Sequence, residues 1–240
     1  MASLSLLSTQ GLSRNFGGLQ AVSNVSFDLP EGQIRALIGP NGAGKTTFVG
    51  MLCGRIPASA GRVTFLGEDV TALPAHKRIA RGMAYTFQIT SIFGQLGLRE
   101  NVALAVRRRL GGDADKVRAE VDSALSRVGL LDRADHIADD LSYGHQRLLE
   151  IAMGLGQKPK LLILDEPTQG LADSEIADFK NLIRSMAGET TILLIEHNMD
   201  VVMEMADVIT VLNFGEVLAE GPPDQIHASA DVQAAYLGTG

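Results

Sequence analysis

The sequence has 240 residues, 45% of them hydrophobic and 20% charged, with one cysteine, no tryptophan and a formal net charge of −7. A chain of this length buries a full core and its apolar content excludes intrinsic disorder. A single cysteine excludes an internal disulfide scaffold and favours a reducing compartment, and the acidic balance argues against nucleic acid as a partner.

The N-terminal MASLSLLSTQ lacks the basic flank and sustained apolar run of a signal peptide. No stretch of about 18 apolar residues runs uninterrupted, so no bilayer span is expected. The chain reads as soluble and cytoplasmic, and any work at a membrane requires docking onto another protein. Low-complexity tracts and internal repeats are missing.

Taken in order, residues 25–29 (VSFDL) and 62–66 (RVTFL) alternate in polarity beside turn glycines at 61 and 67, which predicts a small antiparallel sheet. Residues 34–38 (IRALI) read as a strand feeding a glycine loop. From Leu98 to about Gly156 the pattern is mostly helical: Val117, Val121, Leu125 and Val128 share one apolar face. Residues 161–164 (LLIL) and 191–195 (TILLI) are bare apolar runs, typical of parallel strands covered on both faces. Between them, Asp173 to Met186 carries helical spacing at Ile176, Phe179, Leu182 and Ile183, and residues 215–221 predict a late hairpin strand. The expected fold is α/β with a parallel sheet, a small antiparallel sheet and an inserted helical lobe.

Residues 39–47, namely Gly39, Pro40, Asn41, Gly42, Ala43, Gly44, Lys45, Thr46 and Thr47, match GxxxxGK[ST] completely. Such a loop points backbone N–H groups inward as a nest for phosphate oxygens, and the helix expected from Thr46 to about Leu52 adds its positive N-terminal end. Lys45 can reach the β- and γ-phosphates, and the Thr46 hydroxyl can ligate Mg²⁺. Asp165, ending an apolar strand, can hold Mg²⁺ through water, while Glu166 can polarise the attacking water. His197, after the next strand, is placed to sense a γ-phosphate and support Glu166. Gln88 lies where the chain enters the helical lobe. In LSYGHQ at 141–146, Ser142 reads as an N-cap and Gly144 permits close backbone approach, a second anion-binding helix start suited to another subunit's ATP.

With these motifs in this order, the chain resembles the ATP-binding cassette family of transporter ATPases from about residue 5 to the C-terminus. The resemblance implies a P-loop NTPase with a RecA-like parallel core, an antiparallel β subdomain and a helical subdomain. It implies a single domain over residues 1–240, with the core at about 1–88 and 157–240 and the helical subdomain at about 89–156. It further implies a head-to-tail dimer closing over two ATP molecules, in which Ser142, Tyr143, Gly144 and His145 of one subunit meet the nest at Lys45 of the other. Phe16 is placed to stack on adenine, Gln88 joins Thr46 and Asp165 at Mg²⁺, and Glu166, His197 and Lys45 carry the catalysis. Two departures stand out: Tyr143 and His145 replace Gly and Gln of the usual LSGGQ, and Ala172 stands at the D-loop aspartate position, with Asp173 one place later.

Finer stretches, including FGGLQAV (16–22), LSYGHQRLLEIA (141–152), IEHNMDVVMEMAD (195–207) and the terminal Tyr236-Leu237-Gly238, resemble branched-chain amino acid uptake ATPases, with urea uptake ATPases a close alternative. The implied partners are transmembrane permease subunits, a second ATPase subunit (identical or related) and, indirectly, an extracytoplasmic substrate-binding protein, with the chain peripheral on the inner membrane face. A soluble cassette acting on DNA or ribosomes is disfavoured, because paired cassettes, coiled coils and basic arms are missing. A nucleotide scaffold without turnover is disfavoured by the presence of Lys45, Asp165, Glu166 and His197. Arg107, Arg108 and Arg109 read as a solvated helix face, Cys53 as a small buried hydrophobe, and Met199, Met203 and Met205 as packing residues.

Overall fold

The computed structural model describes residues 5–86 and 91–237. Strands β1 (Ser5–Phe16), β2 (Leu19–Pro30), β4 (Ala60–Phe65) and β5 (Glu68–Asp69) form an antiparallel sheet in the order β2-β1-β4-β5. The two alternating stretches recognised in the sequence thus share a sheet but are not neighbours: β1 lies between them, with Leu7 opposite both Leu29 and Phe65. Register shifts between Thr9 and Leu12, around Gly11, break the alternation that would have marked β1 as a strand.

The second sheet runs β10 (Glu216–Gly221), β9 (Val208–Asn213), β3 (Ile34–Ile38), β8 (Thr191–Ile195), β7 (Leu161–Asp165), β6 (Met83–Thr86). Its strands pair in parallel except for β10, which is antiparallel to β9 as the expected late hairpin strand. Every residue of β3, β7 and β8 is buried, so their bare apolar runs report a sheet covered on both faces. Leu37 and Asp165 both pair with Ile195, which brings the carboxyl ends of the three strands level. The loops at 39, 166 and 196 therefore leave the sheet side by side, on the edge where open α/β sheets bind ligands.

Helix α1 (Lys45–Leu52) lies between the two sheets, with Phe48, Val49, Met51 and Leu52 packed among Leu7, Phe27, Val63, Leu37 and Leu193. Phe27 and Phe48 meet edge to face, their centroids 5.6 Å apart. On the opposite face, Leu162, Leu164, Ile192 and Leu194 share a core with α3 (Leu98–Leu110), α4 (Ala114–Arg127), α5 (Tyr143–Leu155) and α6 (Asp173–Met186). The predicted apolar face of α4 is buried at Val117, Val121 and Leu125, and Asp113 caps its first turn through the Lys116 N–H. Helices α7 (Met199–Met205), α8 (Pro223–His227) and α9 (Ala230–Leu237) pack on β3 and β9 through Val202, Ile226 and Val232. Met199, Met203 and Met205 serve as packing residues, and Arg107, Arg108 and Arg109 are exposed at the end of α3. No helix among the described residues is long and apolar enough to cross a membrane.

The end of α1 is closed by Arg78 on α2 (Ala75–Ala80). Its guanidinium, in a residue only 2% exposed, donates to the carbonyls of Met51 and Leu52 at 2.7 Å each and of Thr71 and Leu73 at 2.9 Å each. A cation at the C-terminal carbonyls of a helix satisfies both the orphan acceptors and the dipole. Beside it the buried Cys53 thiol is pushed up to about 12 by desolvation, which keeps it an inert packing group. Arg78→Met retains the aliphatic stem but takes the guanidinium donors from four carbonyls, of which, among the described residues, Met51 alone keeps a backbone N–H partner, from Gly54, so urea unfolding should show a loss of about 3 kcal/mol or more.

Candidate nucleotide site

Gly44 precedes α1 with φ 98°, and a Cβ there would lie 2.5 Å from the Ala21 carbonyl oxygen, so only glycine allows this sharp entry into the helix. The loop is braced from outside: the Gly215 N–H, in the β9–β10 turn, donates to the Ala43 carbonyl at 2.9 Å. From the C-terminal helix, the partly buried Tyr236 phenol, raised by burial, is hydrogen-bonded to the Gly39 backbone. Lys45 is buried, and its ammonium donates to the carbonyls of Gly39 at 2.6 Å and Pro40 at 3.1 Å. Burial lowers its pKa, and the nearby Glu166 and Asp165 carboxylates oppose that shift.

A pocket of about 570 Å³ is lined by residues 41–47, by Phe16, Leu19 and Phe214, and by Glu166 and His197. Phe16 is 44% exposed with the Arg14 guanidinium 4.4 Å from its ring centroid, a cation–π contact that supports the ring. Phe214 is 85% exposed in the β9–β10 turn and was not singled out from sequence; nothing in its local pattern places it beside a loop 170 residues earlier.

Asp165 is only 6% exposed and accepts a hydrogen bond from the Tyr85 hydroxyl at 2.5 Å. Desolvation holds its pKa above the usual carboxylate range, reinforced by Glu166 and opposed by the Tyr85 bond and by Arg55 and Arg147. Tyr85 is raised in turn, by burial first and by Asp165 second. This partner arises from β6–β7 pairing, a contact between residues 80 apart that linear spacing does not reveal. Glu166 has a left-handed backbone (φ 48°), and its N–H donates to Ile195 at 2.8 Å. That turn sets its carboxylate 3.0 Å from His197 Nε2, so the structure joins two residues that lie 31 positions apart.

Beneath them lies Glu196, also missed from sequence. It is 3% exposed and accepts from the N–H and hydroxyl of Thr168 and from the N–H groups of His197 and Asn198.

Ser142 caps α5 as expected, and its hydroxyl lies 2.7 Å from His145 Nδ1, so the histidine in the Gln position of the motif turns back onto the cap. A Cβ at Gly144 would fall 2.2 Å from Glu175 Oε1, so the glycine lets the Glu175 carboxylate lie directly against the helix start. Glu175 accepts from the Ala172 N–H at 2.9 Å, and Tyr143 packs over Gly170, so the helix start leans on its own chain's loop after β7. Ala172 is the N-cap residue of α6 and Asp173 its first residue. Ser142, Tyr143, Gly144 and His145 do not line the pocket at Lys45. Gln88 lies outside the described residues.

The Mg²⁺ donors expected from sequence that fall among the described residues are one hydroxyl on exposed Thr46 and one buried carboxylate on Asp165, with the Glu166 carboxylate lining the same pocket as Thr46. No cluster of three or more metal-ligating side chains occurs among the described residues. So sparse a set suits Mg²⁺, which is usually held by one or two protein groups together with phosphate oxygens and water. Because Asp165 titrates above its unfolded value, its contribution to stability is present at acid pH and is lost as pH rises through the native pKa. Asp165→Asn keeps an acceptor for Tyr85 and should raise the melting temperature of the nucleotide-free protein at pH 7–8, an advantage that fades towards about pH 4.

Together, a parallel sheet with a phosphate-type loop at its carboxyl edge, an antiparallel sheet over α1 and a helical insertion define a nucleotide-binding cassette. Residues 22–169 match the ABC transporter family, and residues 216–240 match the family described as branched-chain amino acid ATP-binding cassette transporter. The chain is 39% identical to the high-affinity branched-chain amino acid transport ATP-binding protein BraF of Pseudomonas aeruginosa, covering 97% of this chain and 98% of the relative. It is 40% identical to the corresponding protein LivG of Salmonella typhimurium, with the same coverage. The crystal structure of the ADP conformation of MJ1267, an ATP-binding cassette of an ABC transporter, aligns with a TM-score of 0.86 at 27% identity, over 98% of this chain and 99% of that one. The chain belongs to the ABC transporter family and is one of its ATP-hydrolysing cassettes.

Proposed function

We propose that this chain is the motor subunit of an importer of branched-chain amino acids, binding and hydrolysing ATP on the inner face of the cell membrane to drive transmembrane permease subunits. The observation that carries the hydrolytic reading is the Glu166–His197 contact of 3.0 Å beside the loop at Lys45. The cargo reading is supported by relatives of this description over nearly the whole chain and by the match at 216–240. Residues 1–88 and 157–240 act as the catalytic core and 89–156 as the helical lobe.

ATP phosphates lie on the backbone N–H groups of the 39–47 loop, Pro40 excepted, and Lys45 exchanges the carbonyls of Gly39 and Pro40 for phosphate oxygens. Phe16 offers its open face to the adenine. Thr46, Asp165 and Gln88 are the residues that would hold Mg²⁺, which would supply positive charge against that developing on the phosphates. Glu166 polarises a water that attacks the γ-phosphorus as the bond to the β-phosphate oxygen breaks, giving ADP and phosphate; His197 fixes the Glu166 carboxylate and contacts the γ-phosphate. Ser142, Tyr143, Gly144 and His145 of a second ATPase subunit complete the site, which accounts for their absence from the pocket of their own chain. An extracytoplasmic binding protein delivers cargo to the permease and never touches this chain.

Glu166→Gln should keep ATP binding and slow turnover by about 10²–10⁴, roughly 3–5 kcal/mol at the transition state, in steady-state phosphate release. Ser142→Arg should abolish turnover while a fluorescent ATP analogue still titrates the monomer. In proteoliposomes holding the permease and the loaded binding protein, leucine should stimulate hydrolysis; stimulation by urea instead would reassign the cargo.

A further inference from the structure

We infer that Glu196 is a positioning residue for hydrolysis, a buried carboxylate that holds the loop carrying Glu166 and the loop carrying His197 in register. The inference rests on the roles proposed above for those two residues. Glu196 Oε1 takes the Thr168 N–H at 3.0 Å and the Thr168 hydroxyl, both from the loop that begins at Glu166. Its Oε2 takes the N–H groups of His197 at 2.7 Å and Asn198 at 3.0 Å, from the loop after β8. One oxygen thus serves each catalytic loop, and the fixed geometry of a single carboxylate sets the distance between them. None of the ion pairs found among the described residues involves Glu196, and the groups that meet its carboxylate there are backbone N–H and hydroxyl dipoles.

A buried charge compensated in this way is a costly means of filling space, and an apolar residue would fill the volume without it. What a carboxylate supplies, and an apolar or amide side chain does not, is two equivalent acceptors facing opposite loops. Outside this contact, the Glu166 turn is tied to β8 through its N–H to Ile195 at 2.8 Å, a bond that reaches neither Thr168 nor the His197 backbone. The 3.0 Å separation of Glu166 and His197 therefore depends on the carboxylate below them. Misplacement of a reacting group by about 1 Å costs on the order of 10²-fold in rate, so the effect belongs in turnover and not in nucleotide affinity, since the four hydrogen bonds to Glu196 come from Thr168, His197 and Asn198 and not from the phosphate loop.

Glu196→Gln keeps the shape but sets an amide NH₂ against the donors of one loop. In the full-length protein it should lower kcat by about 10- to 100-fold and leave KM for ATP within about twofold. Thr168→Val, which removes one donor and leaves the carboxylate intact, should lower kcat by about three- to tenfold with the same unchanged KM, and it tests the idea if Glu196→Gln fails to fold. Added to Glu166→Gln, the Glu196→Gln change should cost less than about twofold more, because it acts through the group already removed. Normal kcat in the folded variants, a parallel rise in KM, or a full multiplicative loss in the double variant would overturn the inference. If Glu166→Gln itself turns over normally, the catalytic assignment fails; if it is inactive while Glu196→Gln is normal, the positioning role alone fails.

Discussion

Everything at this site depends on the parallel pairing of β3, β8 and β7 with Ile195 as the common level mark. Leu37 and Asp165 both lie opposite Ile195, so β3 and two strands more than a hundred residues further along the chain release their loops at one height. A slip of one residue in β7 would turn Asp165 to the other face of the sheet and carry Glu166 away from His197. The complete burial of β3, β7 and β8 locks that register, since a shift would have to rearrange packing on both faces at once.

On this frame the charges are arranged to wait for an anion. Lys45 is desolvated and rests on backbone carbonyls, weak partners that a phosphate group readily outcompetes. Asp165 is held beneath the loop at the expense of a raised pKa, and Tyr85 shares the load with one hydrogen bond. Cation and carboxylates face one another without a short ion pair between them among the described residues, which leaves room for a nucleotide between the loop and Glu166.

Much of this was legible in the sequence because function and fold use the same local signals. The phosphate loop, the strand before it, the cap at Ser142, the helix from Asp173 to Met186 and the buried strands at 161 and 191 each carry their evidence within a few consecutive residues. What escaped is non-local or irregular. β1 hides behind a bulge at Gly11, β6 has only four residues, and β9 sits in an apolar run that lacks helical or alternating periodicity. Tyr85, Phe214 and Glu196 belong to the site through pairing and turn geometry, and their types at those positions say nothing in isolation. His145 and Ala172, departures from the family pattern, make local sense: the imidazole turns onto Ser142, and the Ala172 N–H is met by the Glu175 carboxylate of the first turn.

The double brace on the phosphate loop, by Gly215 on Ala43 and by Tyr236 at Gly39, ties nucleotide binding to the last thirty residues of the chain. Those residues include the segment that matches the branched-chain cassette family. A truncation designed to strip a docking tail would loosen the grip on phosphate as well. Lost transport in such a variant would therefore report two defects at once, and only a nucleotide titration run in parallel would separate the coupling rod from the engine.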